Sequence, residues 1–251
     1  YDKDAGQVIA TGEQAFTPKT ASGYVNVDLT ANTLQIAGHT LVVYETLSYD
    51  GRTIAEHVDA DDVDQQVTVL TPEIGTTAAD GVDGDQTVSA DTKATVVDQV
   101  QYSGLVPGKE YVLSGSLMVK GTDDEGNVTQ EAFVDASGEA VTASVSFTPE
   151  ASSGTVEVSF PFDATGISDG TTLVAFESLS RTDVEIAVHA DINDEGQTVT
   201  VGVPAVGTTA ADGLDGDKNV VADTKATVVD QVQYSNAIPG QDYEMTGILM
   251  D

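Results

Sequence analysis

The chain has 251 residues, nine Lys and Arg against 42 Asp and Glu, and a formal net charge of −33. Neutralising phosphate takes basic side chains, so nucleic acid and an anionic membrane surface are excluded as partners. There is no cysteine, which removes disulfides, thiolate chemistry and Cys-based metal sites together. No apolar run is long enough to span a bilayer. Tyr1 opens no signal peptide, so the sequence reads as a mature protein or an excised fragment. Apolar residues make up 40%, enough to build a packed core rather than a disordered chain.

The sequence repeats itself. Thr76-Thr77-Ala78-Ala79-Asp80-Gly81 returns as Thr208-Thr209-Ala210-Ala211-Asp212-Gly213, an offset of 132 from position 76 to position 208. Ala90 to Ser103 returns unchanged as Ala222 to Ser235. Leu41 to Glu45, His57 and Gln65 match Leu173 to Glu177, His189 and Gln197 at the same offset. In chain order, residues 1–71 are the back part of one repeat. Residues 72–203 are a complete repeat, and 204–251 are the front part of a third. With one gap, Phe16-Thr17-Pro18 aligns with Phe147-Thr148-Pro149, Tyr1 with about Ala132, and Asp251 with Val119. Only Lys120 to Glu131, which reads as a hairpin loop, lacks a copy, so the two partial ends are nearly complementary.

Every stretch reads as β. Alternation runs through Val141–Phe147, Thr155–Phe160 and Gln197–Val201, and turn signals such as Asp50-Gly51, Pro107-Gly108 and Ser168-Asp169-Gly170 punctuate it. The expected fold class is all-β, as tandem Ig-like β-sandwich domains joined by short links at Pro72 and Pro204.

Strand side chains alternate with period two, and several polar residues fall in phase with apolar ones. Asp98 shares parity with Ala94, Val96, Val100 and Tyr102. Glu177 shares it with Leu173, Ala175 and Leu179, and Glu45 with Leu41, Val43 and Leu47. Gln197 lies in phase with Val199 and Val201, as Gln65 does with Val67 and Val69. A buried carboxylate is costly unless paired or protonated, and the complete repeat has only Lys93, Lys109, Lys120 and Arg181 as bases. A buried cluster of Thr, Asp, Glu, His and Gln with neutral acids follows. His57 and His189 each lie eight residues before such a Gln, whereas His39, matched by Thr171, reads as structural.

His189 to Val199, Val174-Ala175-Phe176-Glu177, Ile74-Gly75-Thr76-Thr77 and Val97 to Tyr102 together resemble the T-Q ester bond (VaFE repeat) domains of Gram-positive surface proteins. The resemblance implies an intramolecular ester from Thr76 to Gln197, with His189, Asp98 and Glu177 as helpers, formed with loss of ammonia. Thr77 competes as the nucleophile, because adjacent strand residues face opposite ways and sequence leaves the register open. The partial ends carry the same parts: Glu45, His57 and Gln65 in the back part, Thr208 and Asp230 in the front part.

The implied function is a structural stalk or fibre segment of an extracellular, cell-wall-anchored adhesin, self-crosslinked once per domain and not an enzyme. The other reading is a ligand-binding adhesin module, with calcium at its acidic loops as a candidate aid, whose crosslinks only support the scaffold. Acidic loops such as Asp80 to Asp85 do not meet EF-hand spacing, so no metal or other cofactor is expected. A hydrolase triad lacks its Gly-x-Ser-x-Gly elbow, and a Lys–Asn isopeptide bond is disfavoured by Thr and Gln on the first and last strands. The expected partner is a neighbouring copy of the repeat, head-to-tail, with an ester from Thr208 to Gln65 of the next chain as one reading; the other is that the sequence is a window on a longer array, whose half-repeats residues of the same polypeptide complete.

Overall fold

The computed structural model describes residues 1–250, so Asp251 and its alignment with Val119 lie outside the described residues. The back part holds β1 (Thr40–Val42), β2 (Glu45–Tyr49), β3 (Arg52–His57), a 3-10 turn at Val63–Gln65 and β4 (Gln66–Thr68). The complete repeat holds β5 (Glu73–Asp80), β6 (Thr87–Ser89), β7 (Ala94–Ser103), β8 (Tyr111–Thr122) and β9 (Val128–Ala132). It continues through β10 (Thr142–Phe147), β11 (Gly154–Phe162), β12 (Thr172–Arg181), β13 (Val184–His189), a second 3-10 turn at Glu195–Gln197, and β14 (Thr198–Gly202). The front part holds β15 (Ala205–Asp212) and β16 (Val228–Ser235).

Period-two patterning makes the complete repeat a two-layer, immunoglobulin-like sandwich. One layer is β11-β7-β5; the other is β10-β8-β12-β14-β6, with β13 added to β12 and β9 to β8. Along β7, Ala94, Val96, Asp98 and Val100 are buried while Gln99 and Gln101 face water. Val96, Val100, Val158 and Phe160 from the smaller sheet meet Leu113, Leu117, Leu173 and Leu179 from the larger, all almost wholly buried. The segment without a copy forms a hairpin between β8 and β9, closed by Asp123 N–H donating to the Asn127 carbonyl at 3.0 Å, with Gly126 at positive φ.

The two ends differ from this. They pair as β1–β4, the β2–β3 hairpin and the β15–β16 hairpin, with no second layer over them. Residues 8–38 and 239–250, expected to be β like the rest, carry no strand. The cause is missing partners: β10 and β11 pair with β8 and β7, and those four fall in opposite halves of the repeat. Phe16, Tyr24 and Leu29 in the back part are exposed accordingly, as are Met245 and Leu249 in the front part.

Candidate functional site

Five side chains from both layers converge inside the complete repeat. β5 and β7 pair with Thr76 opposite Val100 and Ala78 opposite Asp98, so Thr76 and Asp98 share the inward face. Thr76 is buried and Thr77 exposed, which settles which of the two hydroxyls enters the core. From the other layer, β12 and β13 set Glu177 opposite His189. Gln197 is not a strand residue, as its phase with Val199 had suggested. It ends the 3-10 turn that leads into β14, and it is fully buried. That turn lies against β5: a Cβ built on Gly196 would sit 3.5 Å from the Thr76 carbonyl oxygen.

The carboxamide is oriented by main chain. Gln197 Nε2 donates to the Ala175 carbonyl at 2.6 Å and to the His189 carbonyl at 3.4 Å. These bonds engage the nitrogen and leave Oε1 buried without a partner. The imidazole is oriented by a residue that sequence reasoning missed. His189 Nε2 lies 3.0 Å from Asp194 Oδ2, so Nε2–H donates there and Nδ1 keeps its basic lone pair, buried and unpartnered. Asp194 also caps the 3-10 turn by accepting from Gly196 N–H at 2.7 Å. One side chain thus sets both the imidazole and the turn that carries the amide. Its signal in the sequence is its place three residues before Gln197, repeated by Asp62 before Gln65.

Burial drives the electrostatics. Desolvation pushes Asp98 up to about 6, although Glu177, the Thr76 hydroxyl, the Thr77 N–H and the His189 charge all pull it down. Desolvation and then the Asp98 charge push Glu177 up to about 9. Between those values the pair holds one proton. The groups lie near enough to perturb one another, yet the atoms they turn toward each other make no hydrogen bond of ordinary geometry. Thr76 Oγ1, both Asp98 oxygens, both Glu177 oxygens, His189 Nδ1 and Gln197 Oε1 are buried without partners. Among the described residues, they are the only buried side-chain polar atoms left so.

Gly115 makes room for this cluster. It lies opposite Glu177 on β8, and a Cβ there would fall 2.4 Å from Glu177 Oε1 and 2.5 Å from Phe160 Cζ. A glycine inside an alternating strand is the sequence signal for such a close approach. Gly115→Ala should displace the Glu177 carboxyl. Crosslink formation in the folded chain should then slow on the order of a hundredfold, read as the rate of ammonia loss by mass spectrometry.

The partial ends reproduce the parts in the open. Gln65 Nε2 donates to the Val43 carbonyl at 2.7 Å and to the His57 carbonyl at 3.3 Å. Glu45 pairs opposite His57, and His57 Nε2 lies 3.0 Å from Asp62 Oδ2. Thr208 lies opposite Val232 and Asp230 opposite Ala210, the register of Thr76 and Asp98. Glu45, His57, Thr208 and Asp230 are all exposed. His39, by contrast, bonds Asp2 at 2.8 Å, away from these groups. Near-identical bonds around Gln65 and Gln197 show that the local sequence builds the amide and imidazole geometry without the opposing layer.

A tandem β-sandwich repeat that draws a hydroxyl, a primary amide and two acids out of water at one inter-layer position is a distinct class of protein. The family of T-Q ester bond containing domains matches residues 1–69, 72–201 and 204–251, and the chain belongs to that family. No curated protein matches it. Among solved structures, a bacterial adhesin from Mobiluncus mulieris with intramolecular disulfide, isopeptide and ester bond cross-links is 12% identical. The match covers 65% of this chain and 76% of that one, at a TM-score of 0.40. A glycosyl hydrolase family 2 member from Bacteroides cellulosilyticus is 13% identical over 67% of this chain and 18% of its own, at 0.33. Likeness at that level carries no weight beside the family match.

Proposed function

We propose that the complete repeat esterifies Thr76 to Gln197, and that the chain is a segment of a load-bearing stalk or fibre on a Gram-positive bacterial surface. The carrying observation is the cluster of seven unpartnered buried atoms. Leaving a buried polar group unsatisfied costs about 1–3 kcal/mol, so a fold that concentrates every such atom of the described residues in one place is holding reactants.

The chemistry follows from the placement. His189 Nδ1 takes the Thr76 hydroxyl proton, helped by the Asp98 carboxylate beside that hydroxyl, and Oγ1 attacks Gln197 Cδ. Glu177, the acid that keeps its proton at neutral pH, donates to the oxyanion forming on Oε1. The imidazolium returns its proton to Nε2, the C–N bond breaks, and ammonia leaves. The event happens once per domain and the residues are consumed, so it is self-modification rather than turnover. The ester lasts because the core keeps water away.

Mechanics supports the stalk. Thr76 lies on the first strand of the repeat, in one layer, and Gln197 in the turn that leads into the last strand, which belongs to the other. Tension entering near Pro72 and leaving near Pro204 passes through the covalent bond before either sheet can peel. Thr76→Val and Thr77→Val are the test. The first should end ammonia loss from the complete repeat and the second should leave it intact; the reverse would move the ester to the other hydroxyl.

A further inference from the structure

We propose that Gln86 is a positioning residue for the crosslink: its side chain clamps the 3-10 turn that carries Gln197 and so holds the carboxamide in reach of Thr76. This rests on the ester reading of the complete repeat. It adds a residue that lies outside the buried cluster and acts on the reaction through the main chain around Gln197.

Gln86 stands at the entry to β6, which pairs in parallel with β14 through Thr87 opposite Thr200 and Val88 opposite Val201. Its main chain joins that ladder, since Thr200 N–H donates to the Gln86 carbonyl at 2.8 Å. Its side chain makes two further bonds. Nε2 donates to the Glu195 carbonyl and to the Thr198 carbonyl, both at 2.8 Å. Those residues flank Gln197 in the chain. A primary amide has two N–H donors, and Gln86 turns both onto the two ends of the turn that carries the reacting amide. Gln86 is exposed, so water was open to it as a partner and burial did not force these bonds.

The clamp ties the electrophile to the nucleophile. The bonds from Gln197 Nε2 to the Ala175 and His189 carbonyls, and the Asp194 cap, orient the amide within its own layer. Thr76 comes from the other layer, on β5. The chain leaves β5 at Asp80 and crosses to β6 in the larger sheet, and Gln86 is the last residue of that crossing. The crossing is braced. Asp80 N–H donates to the Asp85 carbonyl at 2.7 Å, and Gly84 N–H to the Asp80 carbonyl at 3.0 Å. Thr87 N–H donates to Asp85 Oδ1 at 2.6 Å. A short, stiff path therefore runs from the strand of the hydroxyl to the turn of the amide, and the Gln86 side chain closes it. Attack needs that alignment, because a misplacement of about 1 Å costs on the order of a hundredfold in rate.

The full chain, made by cell-free synthesis and followed by intact mass, gives the rate at which the complete repeat loses ammonia. Gln86→Glu keeps the shape but sets an acceptor against two acceptors, and its rate should fall by about tenfold to a hundredfold. Gln86→Met, of similar length and without a donor, should also be slow. Gln86→Lys, which restores N–H donors at that reach, should run near the wild-type rate. In a Thr76→Val background, where no ester forms, the melting midpoints of these variants should stay together, since Gln86 is exposed and Asp194 caps the turn without it. A wild-type rate in Gln86→Glu, or a Gln86→Lys chain as slow as Gln86→Glu, overturns the role and leaves the ester standing. Slow variants whose midpoints also fall in that background make Gln86 a stabilising residue only, which overturns it too. A wild-type chain that keeps its full sequence mass overturns the ester reading, and this role with it.

Discussion

Thr76→Val should lower the melting temperature of the complete repeat by roughly 10–20 °C, because an ester closing a loop of about 120 residues contributes roughly 4–5 kcal/mol. The substitution is chosen for its sign. Valine fills the space of threonine and removes a hydroxyl that is buried without a partner. Without a crosslink, that exchange would be neutral or stabilising. A fall in melting temperature therefore reports the lost covalent bond and not a cavity or a broken hydrogen bond. Gln197→Ala should fall at least as far, since it loses the bond and also leaves a hole in the core. Calorimetry of the two variants beside Thr77→Val, whose side chain faces water, reads the difference. An unchanged midpoint in Thr76→Val would mean that the bond carries no stability.

His189→Ala should leave a folded chain whose ammonia loss is slower by about 10²–10⁴-fold, the usual range for removing a general base. The acids give the reaction its pH limit. Glu177 can donate to the oxyanion only while protonated, so crosslinking should fail as pH rises through about 9. The same groups set a stability profile that is read most simply in a chain unable to crosslink. In the uncrosslinked Thr76→Val chain, both acids have folded pKa values above their unfolded ones. The folded state therefore holds extra protons, and their contribution is complete below the unfolded pKa of about 4. It is lost as pH rises, above about 6 for Asp98, which no longer has the Thr76 hydroxyl to lower it, and through about 9 for Glu177. The melting temperature of Thr76→Val should thus fall steadily from pH 5 to pH 9. Adding Glu177→Gln should flatten the upper part of that fall. A profile that rises with pH would mean that the two acids are ionised in the core.

Much of this is written in the sequence as period two. Asp98 and Glu177 announce themselves because an acid in phase with Val96 and Val100, or with Leu173 and Leu179, must enter the core with them. The exact repeat gave each residue a second witness. Alternation could not choose between Thr76 and Thr77, since two adjacent residues offer both faces, and only the pairing of β5 with β7 decides. Gln197 misled slightly: its parity with Val199 is real, but a 3-10 turn capped by Asp194 puts it inside. Asp194 itself looked like one more acid in an acidic chain, and its contact with His189 depends on that turn. The open ends were legible as halves of a repeat. Their loss of strands was not, because pairing is decided by the partner and not by the strand's own residues.

The central claim is a covalent bond between β5 and the turn before β14. Intact mass of the denatured chain, followed by mapping of its proteolytic peptides, tests it most directly. The account predicts a complete repeat one ammonia lighter than its sequence, and a branched peptide joining Thr76 to Gln197 that alkaline hydrolysis splits. A chain at its full sequence mass, with Thr76 and Gln197 recovered on separate linear peptides, would contradict it.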